Sequence, residues 1–342
     1  MTEALKRSYG NAARQVFGYV IAATCLVWVF HDVHGDQLLA QARNIRWEWA
    51  ALAVALDVLS YVCQGVRWRF LLEPAGGISL VRATQAIYAG LFTNEIVPLR
   101  AGEFVRAYLV SRWRSIAFVD VFPSIAVERF FDGIWLAVGI GLTAIFVRLP
   151  ENLVRAADVL GVAVLLAAAL LVALVIRKKR TSSSPPPAPE RFWRPLRFFA
   201  KLLDRLARGI GEIGTSRYFY YSLFSSPLIF VCQILAFWCT MVACGLGLPL
   251  WTGAAVFMIL YLGTAVPNAP SNIGTYQFFT VLGLSLFGVE KTTAAGFSVA
   301  VFVILTVPLW IMGIAAIAGT GMRLRDIRNE IGALISRGGE PS

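Results

Sequence analysis

Apolar blocks long enough to cross a lipid bilayer recur from one end of the chain to the other, and the charged residues gather in the gaps between them. A helix crosses the hydrocarbon core with about 20 residues at 1.5 Å rise each. Segments 15–31, 48–66, 119–147, 156–176, 218–246 and 295–319 meet or approach that length. Of the 342 residues, 58% are hydrophobic and 15% charged. Soluble domains carry about 45–50% apolar and about 25% charged residues, so a water-soluble fold of this size has nowhere to hide the excess. The chain is predicted to be an all-α, polytopic integral membrane protein with about six full spans.

Two other apolar stretches do not fit a single crossing. Residues 84–98 make a helix only about 22 Å long, ending at Pro98. Residues 251–288 are two short arms broken by Pro267-Asn268-Ala269-Pro270-Ser271-Asn272-Ile273-Gly274. Re-entrant hairpins at 84–111 and 251–288, each returning to the side it came from, accommodate both. Irregular backbone at such depth persists only where protein or a wet cavity satisfies it.

Charge placement agrees with this layout. With the N-terminus in the cytoplasm, 25 of the 31 Lys and Arg fall in cytoplasmic segments, 5 fall outside and Arg129 lies within a span. That is the bias of the positive-inside rule. Reading either broken segment as one crossing inverts everything after it. The expected location is the plasma (cytoplasmic) membrane, with both termini cytoplasmic. Net charge is +11, but the basic residues sit between apolar blocks, so anionic phospholipid is the expected partner and nucleic acid is not. Lys6, Arg7 and Arg14 precede the apolar run Val16–Phe30 as in a secretory signal. No small-x-small cleavage site follows, and the run is read as an uncleaved first span.

Loop 177–217 divides the chain into halves 1–176 and 218–319. It opens with Arg177-Lys178-Lys179-Arg180 and a Ser/Pro-rich linker, Thr181–Pro189. Residues 191–213 then alternate apolar and basic positions at helical spacing, which predicts an amphipathic helix on the inner leaflet. With only the tail 320–342 after the last span, no appended soluble catalytic domain is expected.

The broken segments resemble each other. Tyr88-Ala89-Gly90 leads to Pro98-Leu99-Arg100-Ala101-Gly102-Glu103-Phe104, and Tyr261-Leu262-Gly263 leads to Pro270-Ser271-Asn272-Ile273-Gly274-Thr275-Tyr276. Entering from opposite leaflets, they form an inverted repeat of the kind found in transporters. Pro98, Pro267 and Pro270 end helices, while Gly102 and Gly274 permit a tight turn. The helices that restart there present free N–H groups and a partial positive charge, which either hold an anion or are capped by the chain itself.

Ionisable residues inside a bilayer cost about 2.5–3.5 kcal/mol each on insertion scales, so they are paired or face water. Arg100, Glu103 and Arg106 border the first loop. Glu128, Arg129 and Asp132 share one face of the third span. On the functional reading, Arg100 and Arg129 form a cationic focus for a phosphate, held by Glu103, Glu128 and Asp132. Asn268, Ser271, Asn272 and Thr275 complete the shell from the second loop. On the structural reading, the ions simply pin the helices together. Asp57 and Gln64 are weaker candidates, and Glu95 is expected to pair with an arginine.

No metal or cofactor is expected. His31 and His34 lack a third ligand, and the five cysteines form no CxxC pair. P-loop, Gly-x-Ser-x-Gly and HExxH patterns are missing from the sequence, which offers no enzyme site.

Pro98-Leu99-Arg100-Ala101-Gly102-Glu103-Phe104-Val105-Arg106, Glu128-Arg129-Phe130-Phe131-Asp132 and the second Pro-rich loop ending Ile273-Gly274 resemble the lysylphosphatidylglycerol synthase transmembrane (flippase-like) family over nearly the whole chain. The second loop departs from the family pattern, with Thr275 and Gln277 where an acid is expected. The resemblance implies a membrane domain that moves lipids between leaflets, without the soluble domain that attaches lysine to phosphatidylglycerol in full-length relatives. The leading expectation is a lipid translocase. Its rivals are a small-solute or ion transporter using the same repeat, and a membrane subunit of a lipid-modifying or lipid-linked glycan pathway. Trp- and Gly-rich helix faces are compatible with a homodimer.

Overall fold

The computed structural model describes residues 18–33, 35–97, 101–147, 194–265 and 269–321, with scattered positions between 151 and 173. Pro98, Arg100, Pro267, Asn268 and His34 lie outside the described residues, as do the linker up to 193 and the tail from 322.

The described residues are helical and contain no strand. In chain order the helices are α1 (Gly18–Phe30), α2 (Gly35–Arg43), α3 (Trp47–Leu72), α4 (Leu80–Ile96), α5 (Gly102–Arg114), α6 (Phe122–Phe146), α7 (Arg194–Thr215), α8 (Arg217–Ala243), α9 (Leu250–Gly263), α10 (Thr275–Ser285) and α11 (Lys291–Ala318). The described positions between 151 and 173 are also helical. Trp47–Ala75, Phe118–Phe146, Arg217–Ala243 and Lys291–Ala318 are long and apolar enough to cross a membrane; α1 and α9 are apolar but shorter.

The interior is largely apolar, and, unlike that of a water-soluble bundle, so is much of the outside. Val27, Val81, Ile145, Leu165, Phe224 and Ile311 are among many large apolar side chains left exposed. Serines, threonines and several charges lie inside. Lipid tails are as apolar as a leucine core, so helices in a bilayer gain most from close packing of small residues and from interhelical hydrogen bonds. The most extensive helix pair, α3 with α8, is built this way. Ala50, Ala53, Ser60 and Cys63 are buried on α3, and Ser222, Ser226, Cys232, Ala236, Cys239 and Thr240 on α8. The Ser222 hydroxyl donates to the Arg67 carbonyl at 3.1 Å.

Helix α3 runs six residues beyond the apolar block 48–66, to Leu72. This carries Arg67, read from sequence as a loop cation, into the protein interior, where it is 1% exposed.

The two broken segments are helical hairpins, α4–α5 and α9–α10, each with its arms packed together. Glycine is required at both restarts. A Cβ on Gly102 would lie 1.9 Å from the Gly90 carbonyl oxygen on α4. Gly274 has φ +88°, and a Cβ there would lie 2.3 Å from the Ala22 carbonyl oxygen on α1. Both restarts are capped by side-chain amides: Gly102 N–H donates to Asn94 Oδ1 at 2.7 Å, and Gly274 N–H donates to Gln277 Oε1 at 2.7 Å. Gln277, one of the two residues standing where the family pattern leads one to expect an acid, therefore terminates a helix.

Helix α7 matches the amphipathic pattern over its described part. Ile213 is buried in the bundle core and Ile210 packs beside it, while Arg205 and Arg208 are exposed. Its apolar face thus rests on the protein, next to the start of α6.

Candidate functional site

Three arginines and three carboxylates from α3, α5 and α6 form one connected network. Arg106 on α5 grips Glu128 with two hydrogen bonds, Nη1 to Oε1 at 3.1 Å and Nη2 to Oε2 at 2.6 Å. Its guanidinium also lies 4.2 Å from the centre of the Trp68 ring. Trp68 is held in turn by its indole N–H, which donates to Ser124 Oγ at 3.0 Å. Arg67 on α3 bonds Asp132 at 2.7 Å and lies 3.5 Å from Glu128. Arg129 reaches Glu103 at 2.7 Å and Asp132 at 3.1 Å. The formal charges cancel, which is how buried ions persist where water cannot solvate them.

The members of this network differ in access. Arg67, Arg106 and Glu128 are each buried, whereas the Arg129 side chain is 44% exposed. A guanidinium carries five donors in a rigid fork. Arg67 and Arg106 are enclosed, but Arg129, bonded to Glu103 and Asp132, stands at the edge with nearly half its side chain accessible. Of the residues singled out in the sequence, the fold brings Glu103, Arg106, Glu128, Arg129 and Asp132 into contact, and it adds Arg67. The missed signal was periodic: Asp57, Tyr61, Gln64, Arg67 and Trp68 recur at helical spacing along α3 and mark one polar stripe.

The second centre is a cavity of about 200 Å³ where the hairpin tips meet. Asp57 and Tyr61 line it from α3, Glu95 from the end of α4, Tyr261 from α9 and Thr264 from just past its end, and Ser271, Asn272 and Tyr276 from the second loop and α10. The tips are joined directly: Ser271 Oγ donates to the Glu95 carbonyl at 3.0 Å, supplying a partner to the end of α4. Ser271 and Asn272 both adopt left-handed backbone, with φ of 55° and 50°. Thr275 is buried and donates to the Asn272 carbonyl at 2.9 Å.

Glu95 does not meet an arginine among the described residues. Its Oε2 accepts the Trp310 indole N–H at 3.3 Å. Asp57 is 6% exposed and likewise has no cation beside it among the described residues. Tyr261 lines the cavity from α9. Arg100 and Asn268, the remaining sequence candidates, lie outside the described residues. Among the described residues no three His, Cys, Asp or Glu side chains gather as metal ligands.

Comparison with known proteins places this architecture. A relative from Methanocaldococcus jannaschii, the UPF0104 membrane protein MJ1595, is 22% identical over 289 residues, covering 76% of this chain and 81% of its own. The glycosyltransferase AglD of Haloferax volcanii is 34% identical over 115 residues, or 33% of this chain; the match spans only 18% of that relative's length. No solved structure matches the chain. The family described as lysylphosphatidylglycerol synthase TM region matches residues 15–313, which take in both hairpins, the ion network and the cavity, and the chain belongs to that family.

Proposed function

We propose that this protein is a lipid translocase, carrying a polar headgroup between leaflets while the acyl tails stay in the bilayer. The observation that carries this reading is the cavity at the meeting point of the hairpin tips, polar at Asp57, Glu95, Ser271 and Asn272 and apolar at Phe257, Leu260 and Phe302. A headgroup needs such a wet, polar interior, and its tails need the apolar exterior.

Arg129 is the phosphate contact in this scheme. Arg67 and Arg106 hold their carboxylates in place, so that Arg129 keeps a fixed orientation without being neutralised on every side. The exposed Arg205 and Arg208 on α7 border a second cavity of about 340 Å³ beside the start of α6, where an anionic lipid can rest before entry. The charge bias of the loops supports a plasma-membrane location with cytoplasmic termini. The protein acts as a carrier and not as a catalyst. A second reading, a membrane component of a lipid-linked glycan pathway, is favoured by the match to a protein named as a glycosyltransferase.

Purification in mild detergent followed by mass spectrometry of retained lipid tests the proposal. A phospholipid retained at near-stoichiometric level by wild type and depleted in Arg129→Gln supports it. Equal, sub-stoichiometric lipid in both opposes it, and a retained polyprenyl glycolipid favours the second reading.

A further inference from the structure

The protein treats its buried and half-buried carboxylates in two ways. Glu103, Glu128 and Asp132 each bond an arginine, with contacts of 2.6–3.1 Å. Asp57 and Glu95, both on the cavity wall, have none among the described residues. An ionised carboxylate in a membrane interior is strongly disfavoured unless a positive charge accompanies it.

The surroundings indicate what supplies it. From α3 itself Tyr61 faces Asp57; from α4 come Tyr88 and Glu95, from α9 Tyr261 and from α10 Tyr276. Helix α8 contributes Gln233 and α11 contributes Thr306, neither of them charged. Tyr61 and Tyr276 share the cavity wall with both carboxylates. Tyr88 adds an independent sign of a missing ligand. It is 3% exposed, its ring meets Tyr61 edge-on at 5.4 Å and its hydroxyl lies in the field of Asp57, yet its Oη makes no hydrogen bond. A buried hydroxyl without a partner is costly. Two acids that meet no arginine among the described residues, with neutral oxygen donors beside them, line the cavity, and the orphaned Tyr88 hydroxyl belongs to the ring packed on Tyr61; together they form an oxygen-lined site for a small positive charge.

We propose that Asp57 and Glu95 jointly hold one small monovalent cation, a proton or a sodium ion, in the cavity where the hairpin tips meet. Because Ser271 and Glu95 join the tips here, loading or losing that charge alters the contact between the two halves of the repeat. A gradient of the ion can then bias which side the cavity faces. The site stands whether or not the cargo is a lipid, since binding is measured without transport.

Trp310 provides a built-in reporter, because its indole bonds Glu95 directly. The full chain in nanodiscs of uncharged lipid is titrated with NaCl against choline chloride at fixed ionic strength, and separately from pH 5 to 8 without sodium. Tryptophan fluorescence and thermal unfolding are recorded for wild type, Asp57→Asn, Glu95→Gln, the double variant and Trp310→Phe. A saturable sodium response assigns sodium; a response to pH alone assigns the proton. Either response should weaken about tenfold or more in each single carboxylate variant, vanish in the double variant, and lose most of its fluorescence amplitude in Trp310→Phe. Tyr88→Phe, which breaks no hydrogen bond, guards against misfolded variants and should weaken the response about fivefold. A wild type indifferent to both ions overturns the proposal. So does a response undiminished in the double variant, or one seen only when an amine-bearing lipid is added.

Discussion

Arg67 Nη1 lies 2.7 Å from Asp132 Oδ1, across 65 residues of sequence, and this bond ties α3 to α6 inside the protein. The same guanidinium approaches Glu128, which Arg106 holds from α5, so one carboxylate links three helices. Arg67, Arg106 and Glu128 are buried, whereas Arg129 is the accessible arginine of the network. On the proposed function, scaffold and contact fall to different arginines.

Removing Arg67 should expose the structural role. Arg67→Met leaves Glu128 and Asp132 short of positive charge in a buried place, and breaking a buried pair from one side costs about 3–5 kcal/mol. Thermal unfolding in detergent should show a large drop. Arg67→Lys should also be poor, because an ammonium cannot reproduce the planar fork that spans two carboxylates. An unchanged midpoint in Arg67→Met would separate the network from the fold.

Arg129 should behave in the opposite way. With nearly half its side chain accessible, its ion pairs are worth under about 1 kcal/mol. Arg129→Gln should therefore keep the wild-type unfolding midpoint within a few degrees and lose most lipid retention. Arg106→Gln should lose both. Stability and retention falling together in all three variants would argue that the network is structural only.

Glycine at the hairpin restarts is demanded by contact distances. Gly102→Ala places a carbon inside the van der Waals shell of the Gly90 carbonyl, and Gly274→Ala adds a left-handed backbone penalty to a clash with α1. Each should cost about 1–3 kcal/mol or more and lower the yield of folded protein. Gly141→Ala, with nothing within 4 Å, is the matched control and should be neutral. Size-exclusion profiles and unfolding midpoints provide the comparison.

The link between the hairpins is weaker and separable. Ser271→Ala removes one hydrogen bond to the Glu95 carbonyl and should cost about 1 kcal/mol. Hydrogen exchange at the end of α4, near Glu95 and Ile96, should accelerate, while exchange in α3 and α8 stays as it was.

Much of this was legible in the sequence for physical reasons. The length of apolar blocks marks helices that cross, and proline next to glycine marks where two of them break. Charged residues at Glu128, Arg129 and Asp132 stand out because an apolar neighbourhood makes them expensive. Arg67 escaped notice because it sits just past the apolar block of α3, where it counts as a loop cation by composition; only packing against α6 shows that the helix continues. Glu95 was expected to find an arginine; among the described residues the fold brings it Trp310 instead, from 215 residues away. The tendency to bury charge is local information, whereas the identity of the partner is set by tertiary contacts.

The most direct test is movement of lipid between leaflets. Proteoliposomes carrying a headgroup-labelled phospholipid are exposed to a membrane-impermeant quencher, with wild type, Arg129→Gln and protein-free vesicles side by side. The account predicts that wild type makes the inner-leaflet label accessible well above the protein-free level, and that Arg129→Gln falls back toward that level with its fold intact. Equal accessibility in all three preparations would contradict it.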